Sequence, residues 1–516
     1  MKFFIPAWYS EGHWWQSNAK PAFFKKSKTE FDDLISLMGM HVKNKRPFEM
    51  LILNYSPDLR TFLHRYDLFD AGYWSVFDAI QGFTHQTPQS VDYRTLDWPE
   101  DTEFIYATSY IRAFTAEHQY SNIHFSQDGY LVWIESFENH IQRYRYIFDD
   151  RGYLSSVMTY NQQGEAERHF YMTLDGDWVM QEDLISGEVK IHRNYYHLFN
   201  NQVYLSMDEV IDEWLSRYFK QRADDFETVI AASDIRHNAM IANHVASEQL
   251  CFSIFQQRKT SLEENGMSAI EKAKYWLVDT IENTEKLSRY QKQSHSENQL
   301  LRITPFDVQV NANMSSQLYE MNIGVWVDGM CQDTFRNVMS QLEQEMQQHS
   351  QVRVVLLSKQ TDILPQWVSE TMKSMNEVLN QKQQAPEMIR DIMYKEETTY
   401  VDLKSVPFEN QLVEVVRTLR LIIDLNHEPD LFLQICSIGA GLPQINRNPT
   451  DYVQHNMNGY LINDINDLSI ATDYFLNHLK NWNQAFSYSM KLAKHYSSSQ
   501  ILTQLDERRL RDKNGA

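Results

Sequence analysis

Apolar and polar residues follow one another along the chain in three successive patterns. Up to about residue 117, apolar runs of strand length, such as 3–8 and 49–55, alternate with segments of helical spacing, such as 29–45. An order of strand, helix and strand is typical of an α/β domain. The same order resumes at about residue 207. The pattern therefore predicts a first Rossmann-like domain in two segments, 1–117 and 207–285.

The segment 118–206 has a different pattern, in which aromatic and polar residues alternate between short turns. Five glycines mark these turns at separations of 23, 12, 12 and 11 residues: Gly129, Gly152, Gly164, Gly176 and Gly187. Glycine supplies the positive φ that tight turns between antiparallel strands need. The spacing predicts an inserted antiparallel β-meander, which serves either as a structural platform or as a docking sheet for another protein.

A second α/β pattern covers residues 299–480, and the helices of 481–516 could return to the first domain. Its predicted strands are 323–329, 352–358, 399–405 and 431–437, and a helix is predicted over 409–422. The predicted fold class is therefore α/β, with two Rossmann-like domains and an inserted meander. In such a fold, a ligand is expected in a cleft at the carboxyl ends of the strands.

Charge and cysteine content narrow the possible functions. The 48 basic and 69 acidic residues give a net charge of −21, which argues against nucleic-acid binding. The three cysteines are far apart and favour a reducing compartment, so we expect a cytoplasmic protein. No apolar run approaches the roughly 18 residues of a membrane span.

Common catalytic motifs are missing from the sequence. It contains no phosphate-binding P-loop, no HExxH zinc motif and no GxSxG nucleophile elbow. We therefore predict no catalytic residue, no metal ligand and no cofactor.

An aromatic segment directly after the first strand is the first candidate site. It contains Trp8, Tyr9, His13, Trp14 and Trp15, whose rings could stack on the CH faces of a sugar. The alternative is that the tryptophans fill a domain interface.

The second candidate site follows the predicted strand 431–437. Small residues there could present backbone N–H groups to a polar ligand at the start of a helix, and the candidates are Ser437, Gly439, Gly441 and Gln444. The alternative is a turn of small residues that packing requires.

This second segment resembles the donor site of retaining glycosyltransferases of the GT-B fold. Gly441 and Pro443 match the Gly-x-Pro of that family, which places Glu428 at its first conserved glutamate. Cys436 stands at the second glutamate, and Asp328 lies where the family has a basic pair for the donor diphosphate. The resemblance implies a GT-B-like fold whose donor site has lost its catalytic groups.

The whole chain resembles the first accessory secretory proteins of the accessory Sec system of Gram-positive bacteria. The resemblance rests on MKFFIPAWYSEGHWW at the start, on the turn-rich insert, and on GLPQIN, TDYV and NGYLI near the end. It implies a non-catalytic export factor that binds a glycosylated serine-rich repeat adhesin, through N-acetylglucosamine. It also implies a complex with the second and third accessory secretory proteins and delivery to the accessory SecA-type ATPase and SecY-type channel at the membrane.

Two alternatives stay open. An active sugar transferase that modifies the adhesin is favoured by Glu428 and the Gly-x-Pro turn. A scaffold without any ligand is the other alternative, and single alanine replacements of Trp8, Trp14 and Trp15 would distinguish it from a sugar-binding protein.

Overall fold

The structure is a computed structural model of the 516-residue chain. It describes residues 1–17, 21, 30–83, 87–222, 225–255, 258, 264–360, 364–382 and 398–513. The chain divides into two compact units. The first comprises Met1–Thr29, His41–Leu277 and Arg289–Leu300, and the second comprises Glu30–Met40, Val278–Ser288 and Leu301–Ala516.

The first sheet has seven strands in the order β17-β16-β15-β14-β1-β2-β3, and the pairings between β1, β2, β3, β14 and β15 are parallel. Its strands are β1 (Lys2–Ile5), β2 (Phe48–Ile52), β3 (Gly72–Ser75), β14 (Thr228–Ala232), β15 (Leu250–Ile254), β16 (Tyr275–Val278) and β17 (Gln299–Arg302). The helices in this part of the chain are α1 (Asp33–Lys43), α2 (Leu59–Arg65), α3 (Val76–Gln81), α4 (Met207–Gln221), α5 (Asn238–His244), α6 (Glu264–Ile270) and α7 (Ile281–Ser294). β14 and β15 are buried along their whole length, as expected for central strands of a parallel sheet.

The second sheet is the predicted antiparallel meander, with ten strands in sequential order from β13 to β4. The strands are β4 (Glu103–Tyr106), β5 (Ile111–Ala116), β6 (Gln119–Phe125), β7 (Leu131–Glu138), β8 (Ile141–Phe148), β9 (Leu154–Tyr160), β10 (Ala166–Met172), β11 (Trp178–Asp183), β12 (Val189–Ile191) and β13 (Val203–Tyr204). All five turn glycines have positive φ. The antiparallel sheet begins at Glu103, ahead of the predicted start at residue 118. Its first strand, β4, pairs with β5 and not with a strand of the parallel sheet.

A buried ionic cluster joins the meander to helices α2 and α3. Arg60 of α2 contacts Asp149 at 2.8 Å and Asp150 at 2.5 Å. Arg151 contacts Asp149 at 2.6 Å and Asp78 of α3 at 3.0 Å. The β8–β9 turn is therefore held to α2 and α3 by charge-assisted hydrogen bonds, which are about twice as strong as neutral ones.

The third sheet has six parallel strands in the order β20-β19-β18-β21-β22-β23. They are β18 (Met321–Trp326), β19 (Val352–Ser358), β20 (Val401–Ser405), β21 (Leu419–Asp424), β22 (Gln444–Asn446) and β23 (Gly459–Leu461). The helices of this part are α8 (Gln332–Gln348), α9 (Gln366–Lys382), α10 (Glu409–Val416), α11 (Leu431–Ala440), α12 (Leu468–Leu476), α13 (Leu479–His495) and α14 (Ser498–Lys513). Apolar residues of β18, β19 and β21 form one core with α8, α9 and α12.

The predicted strand over 431–437 is wrong, because this run is the buried helix α11. Asp430 caps the start of the helix, and Gly441 ends it in the left-handed conformation. The predicted helix over 409–422 ends at Val416, and the strand of this region is β21. A short apolar run alone does not distinguish a strand from a buried helix.

No helix within the described residues is long and apolar enough to cross a membrane.

Candidate ligand-binding site

The aromatic loop after β1, residues 6–16, lies in the first unit. Trp8, Trp14 and Trp15 are buried, with 7%, 5% and 7% of their surface exposed, whereas His13 is exposed. The ring centroids of Tyr9 and Trp14 are 4.6 Å apart, and those of His13 and Trp15 are 5.0 Å apart. The loop thus brings together the predicted aromatic residues, but most of their ring surface is packed inside the unit.

Two carboxylates fix the indole rings of this loop. The Nε1–H of Trp14 donates to Asp208 of α4 at 2.8 Å, and the Nε1–H of Trp15 donates to Glu182 of β11 at 3.0 Å. The other oxygen of Glu182 accepts from the hydroxyl of Tyr171 at 3.2 Å. Burial raises the pKa of Glu182 to about 7, so this carboxyl group is half-protonated near neutral pH.

Tyr9 is held by a buried histidine, His237, at the start of α5. His237 Nε2 lies 2.6 Å from the carbonyl oxygen of Ala232, and Nδ1 lies 2.5 Å from the Tyr9 hydroxyl. A ring that donates from Nε2 to a carbonyl accepts at Nδ1, so the Tyr9 hydroxyl is the donor. Burial lowers the pKa of His237 to about 4, and the ring is neutral at pH 7. Arg236 donates to the Ser10 carbonyl at 2.9 Å and completes this support.

The strand ends of the second unit carry ionisable groups in place of aromatic rings. Asp430 caps α11, and its Oδ1 accepts from the backbone N–H of Leu433 at 2.9 Å. Its Oδ2 accepts from Lys359 Nζ at 2.6 Å, and Lys359 also lies 3.8 Å from the ring centroid of Phe31. The amino end of α11, the usual place for a phosphate in this kind of fold, is therefore occupied by the chain's own carboxylate.

Two further aspartates lie at the neighbouring strand ends. Asp424 ends β21, is 2% exposed, and accepts from the backbone N–H groups of Asn426 at 3.1 Å and Asp430 at 2.8 Å. Burial raises the pKa of Asp424 to about 7. Asp328, after β18, accepts from the Ser358 hydroxyl at 2.5 Å and from the Lys359 backbone N–H at 2.7 Å.

Glu409 and Cys436 extend this acidic region. Glu409 begins α10, and burial together with the nearby charge of Glu30 raises its pKa to about 7. Burial, followed by the charges of Glu409 and Asp430, raises the pKa of the Cys436 thiol to about 12. The thiol is therefore protonated and is neither a nucleophile nor a hydrogen-bonding equivalent of a carboxylate at pH 7.

The four acidic residues Asp328, Asp424, Asp430 and Glu409 are defined here as the strand-end acidic cluster. Lys359 pairs through Nζ with Asp430, and its backbone N–H donates to Asp328. A nucleoside diphosphate brings at least two negative charges and needs basic groups or free helix N–H groups. The cluster offers neither, because Lys359 and the start of α11 are already paired with Asp430. Its electrostatics disfavour an anionic sugar donor.

The family model of the first accessory Sec system protein matches residues 1–512. The chain belongs to this family, the accessory secretory protein 1 family. A curated member from Staphylococcus aureus (strain NCTC 8325 / PS 47) is 43% identical over 508 residues, which cover 98% of each chain.

Solved structures agree with this assignment and with the GT-B-like fold. A chain in the crystal structure of accessory secretory proteins 1, 2 and 3 of Streptococcus pneumoniae has a TM-score of 0.79, with 25% identity over 100% of both chains. The pneumococcal O-GlcNAc transferase GtfA, in complex with UDP and GlcNAc, has a TM-score of 0.67 at 12% identity, covering 99% of both chains. At that identity the second likeness shows the fold alone.

The predicted residues at the end of α11 have packing roles in this member of the family. A Cβ on Gly439 would lie 2.1 Å from the Gln309 carbonyl oxygen, and one on Gly441 would lie 2.2 Å from the Phe486 ring. Ser437 is fully buried and donates to the Leu433 carbonyl at 2.7 Å. Because this segment ends a helix, it does not present the N–H groups that the sequence predicted.

Gln444, in β22, is 1% exposed and donates to the Gln434 carbonyl at 3.2 Å. The nine predicted residues thus fall into two sets, one in each unit, and their role in sugar binding stays a prediction.

Glu428 lies apart from the strand-end acidic cluster in a group with Glu282 and His427. One ligand atom from each residue lies within 4.8 Å of the others, and these are the described residues that could together hold a metal ion. Glu282 is already paired with Lys286 Nζ at 2.7 Å, which neutralises part of the charge that would attract a cation.

Sequence reasoning missed Lys359, Asp424 and Asp430. Asp430 was detectable, since an aspartate before an apolar run is a common helix N-cap. Lys359 and Asp424 follow separate strands, and only the sheet order brings them to the same edge.

Proposed function

We propose that this member of the accessory secretory protein 1 family is a non-catalytic export factor of the accessory Sec system. It binds glycosylated serine-rich repeat adhesin through N-acetylglucosamine and helps to deliver it to the accessory SecA/SecY translocase. The observation that carries the non-catalytic part is the salt bridge between Lys359 and Asp430 at the start of α11. This salt bridge takes up the helix N-terminus and the cation that a sugar-nucleotide donor would need.

Within the aromatic loop, the tryptophans are packed inside the unit and His13 is the ring that is open to a sugar. The rings of the loop are held in fixed positions by Asp208, Glu182 and His237, so they need little ordering when a ligand binds. His13 is exposed beside Trp15 and is the member of the loop best placed to contact cargo. Many glycans on one adhesin can raise a weak single contact by about 10²–10⁴ through avidity.

The partners follow from the family. A relative is found in a crystal structure of accessory secretory proteins 1, 2 and 3, and we infer the same second and third proteins as partners here. The glycosylated adhesin and the accessory SecA-type ATPase are the further partners. The protein acts in the cytoplasm and meets the membrane peripherally, through the translocase.

Calorimetry with three titrants tests this function. The purified full chain is titrated with N-acetylglucosamine-modified adhesin repeat, with the unmodified repeat and with UDP-N-acetylglucosamine. We expect binding of the modified repeat only. Binding of UDP-N-acetylglucosamine followed by sugar transfer would restore the transferase alternative, and equal binding of both repeats would exclude sugar recognition.

A pair of exposed histidines provides a matched variant and control. His13→Ala should weaken binding of the modified repeat about fivefold or more, because one polar contact to a sugar is worth about 1 kcal/mol. His197→Ala, at an exposed position in the same unit, should leave the affinity unchanged. An unchanged affinity in both variants would place the sugar contact outside the aromatic loop.

A further inference from the structure

β4 forms one free edge of the ten-stranded antiparallel sheet. Among the described residues, it pairs with β5 alone, through the register Glu103 to Phe114 and Tyr106 to Ile111. A terminal strand leaves a row of backbone N–H and C=O groups on its outer side. Such a row can accept another extended strand.

Two of the four side chains of β4, Ile105 and Tyr106, are apolar and exposed. Ile105 is 54% exposed and Tyr106 is 68% exposed, and the neighbouring Phe114 of β5 is 37% exposed. Most of the large apolar side chains of this unit are buried instead, as in the aromatic loop. Because Ile105 and Tyr106 are consecutive in the strand, they lie on opposite faces of the sheet, and each face of this edge exposes an apolar side chain that a partner could cover.

Two other sheet edges, β20 and β13, carry features that limit pairing with a further strand. The edge strand β20 carries Lys404, which is paired with Asp402 at 2.7 Å. β13, at the opposite edge of the meander, is only two residues long. Charged side chains and short length are the usual devices that prevent edge pairing. β4 has four residues and begins with Glu103, but its second half exposes two apolar side chains, Ile105 and Tyr106.

β4 is also held rigid on its inner side. Phe104 packs edge-on against Tyr93 at 5.4 Å and Trp98 at 5.7 Å between centroids. The Tyr106 hydroxyl lies 3.0 Å from the Tyr93 hydroxyl. A preformed strand binds with a smaller loss of conformational entropy than a flexible one.

The charges around this edge indicate what kind of segment it takes. Five exposed acidic residues flank β4, namely Asp97, Glu100, Asp101, Glu103 and Glu117. The two basic residues in 91–118 are Arg94 and Arg112, and Arg94 is already paired with Asp92. The surroundings are therefore acidic, which favours a basic partner. Two copies of this chain that met along β4 would bring two acidic surfaces together, so self-pairing is disfavoured.

We propose that β4 is a docking edge to which a partner protein adds an extended strand bearing Lys or Arg. The proposal rests on the proposed function for the identity of that partner, which is a protein of the same export complex. Backbone pairing supplies affinity, Ile105 and Tyr106 bury apolar surface, and the acidic residues select basic side chains.

Binding of the purified second and third accessory secretory proteins of the same bacterium tests the docking edge. Ile105→Lys adds an edge-protecting charge at an exposed position and should weaken binding of one of them by about tenfold or more. Val203→Lys at the β13 edge is the matched control, since Val203 is 47% exposed, and it should change the affinity less than about twofold. Glu100→Lys combined with Asp101→Lys should also weaken binding and reduce its dependence on salt.

Hydrogen exchange gives a second readout that does not depend on variants. The amides of residues 103–106 should exchange more slowly in the complex than in the free chain. Unchanged exchange there, or equal affinity of the Ile105→Lys variant and the unchanged chain, would overturn the docking edge while leaving the complex and the proposed function intact.

Two other outcomes would contradict more than the docking edge or would change its partner. Failure of both accessory proteins to bind the unchanged chain would remove the partner named here and contradict the proposed complex itself. Sedimentation of the unchanged chain as a dimer that Ile105→Lys dissociates would show that a second copy pairs with this edge. That result would overturn the proposal that the partner is a basic segment of another protein.

Discussion

The aromatic loop of the first unit and the strand-end acidic cluster of the second occupy corresponding positions. Both follow the carboxyl ends of parallel strands, yet one is built from indole and phenol rings and the other from carboxylates around Lys359. In the loop, each fixed ring is held by a hydrogen bond from its own polar group, as the Nε1–H of Trp14 donates to Asp208. In the cluster, Asp430 occupies the helix end itself. The same architecture therefore carries packed aromatic rings at the strand ends of one unit and carboxylates that disfavour an anionic ligand at those of the other.

The largest expected effect comes from restoring the glutamate that the GT-B motif has at position 436. Cys436→Glu would bury a third carboxylate beside Glu409 and Asp430, and should lower the free energy of unfolding by about 3–5 kcal/mol. Cys436→Ser should cost about 1 kcal/mol. Urea denaturation measures both. A stable Cys436→Glu protein that binds UDP-N-acetylglucosamine would mean that the cluster is a donor site lacking one group.

Removal of Lys359, the cation paired with Asp430, tests whether the cluster depends on it. Lys359→Ala leaves Asp430 without its partner, and both side chains are largely buried, at 17% and 13% exposed. We expect a loss of about 3 kcal/mol in unfolding free energy. Lys404→Ala removes an ion pair of similar length that is about half exposed, and should cost less than about 0.5 kcal/mol. Equal losses would show that burial does not distinguish the two pairs.

Protonation of Glu182, the buried carboxyl group that accepts from Trp15, should make the free energy of unfolding depend on pH. The pKa of Glu182 is about 7 in the folded chain against an ordinary value of 4.5. Because the folded state holds the proton more tightly, stability from this group is lost as pH rises from about 4.5 to about 7. Glu182→Gln keeps a hydrogen bond to Trp15 and cannot ionise.

The unfolding free energy of Glu182→Gln, relative to the unchanged chain, should therefore rise by about 3 kcal/mol between pH 4.5 and pH 8. Glu117→Gln, at an exposed position, is the control and should show no such rise. Parallel pH dependence of the unchanged chain and Glu182→Gln would contradict the assignment.

The smallest effect is expected at the other indole. Trp14→Phe removes the N–H that donates to Asp208 and should lower the unfolding free energy by about 1–2 kcal/mol. Asp208→Asn keeps an acceptor oxygen and should cost less than about 0.5 kcal/mol. Thermal unfolding followed by tryptophan fluorescence compares the two. A larger cost for Asp208→Asn would mean that charge, and not the hydrogen bond, fixes Trp14.

The sequence by itself determined the broad architecture and the placement of the aromatic residues. Glycines at turn positions, such as Gly129 and Gly152, specify the meander through a local conformational requirement. The apolar run of β19 matches its predicted bounds, 352–358, because a doubly buried strand is a local pattern. Trp8 and Trp15 belong to one short segment, so the sequence showed them as one loop, but the hydrogen bonds that fix Trp14 and Trp15 come from distant residues, Asp208 and Glu182.

Only the tertiary structure decided where the charges meet and which edge is free. Lys359 and Asp430 are 71 residues apart, and their salt bridge exists because the strand order places β19 and β21 on either side of β18. The run 431–437 is apolar enough for a strand or a buried helix, and its packing and caps make it α11. The free backbone edge of β4 likewise follows from β4 being last in its sheet, which no local pattern specifies, because strand order depends on pairings between distant segments.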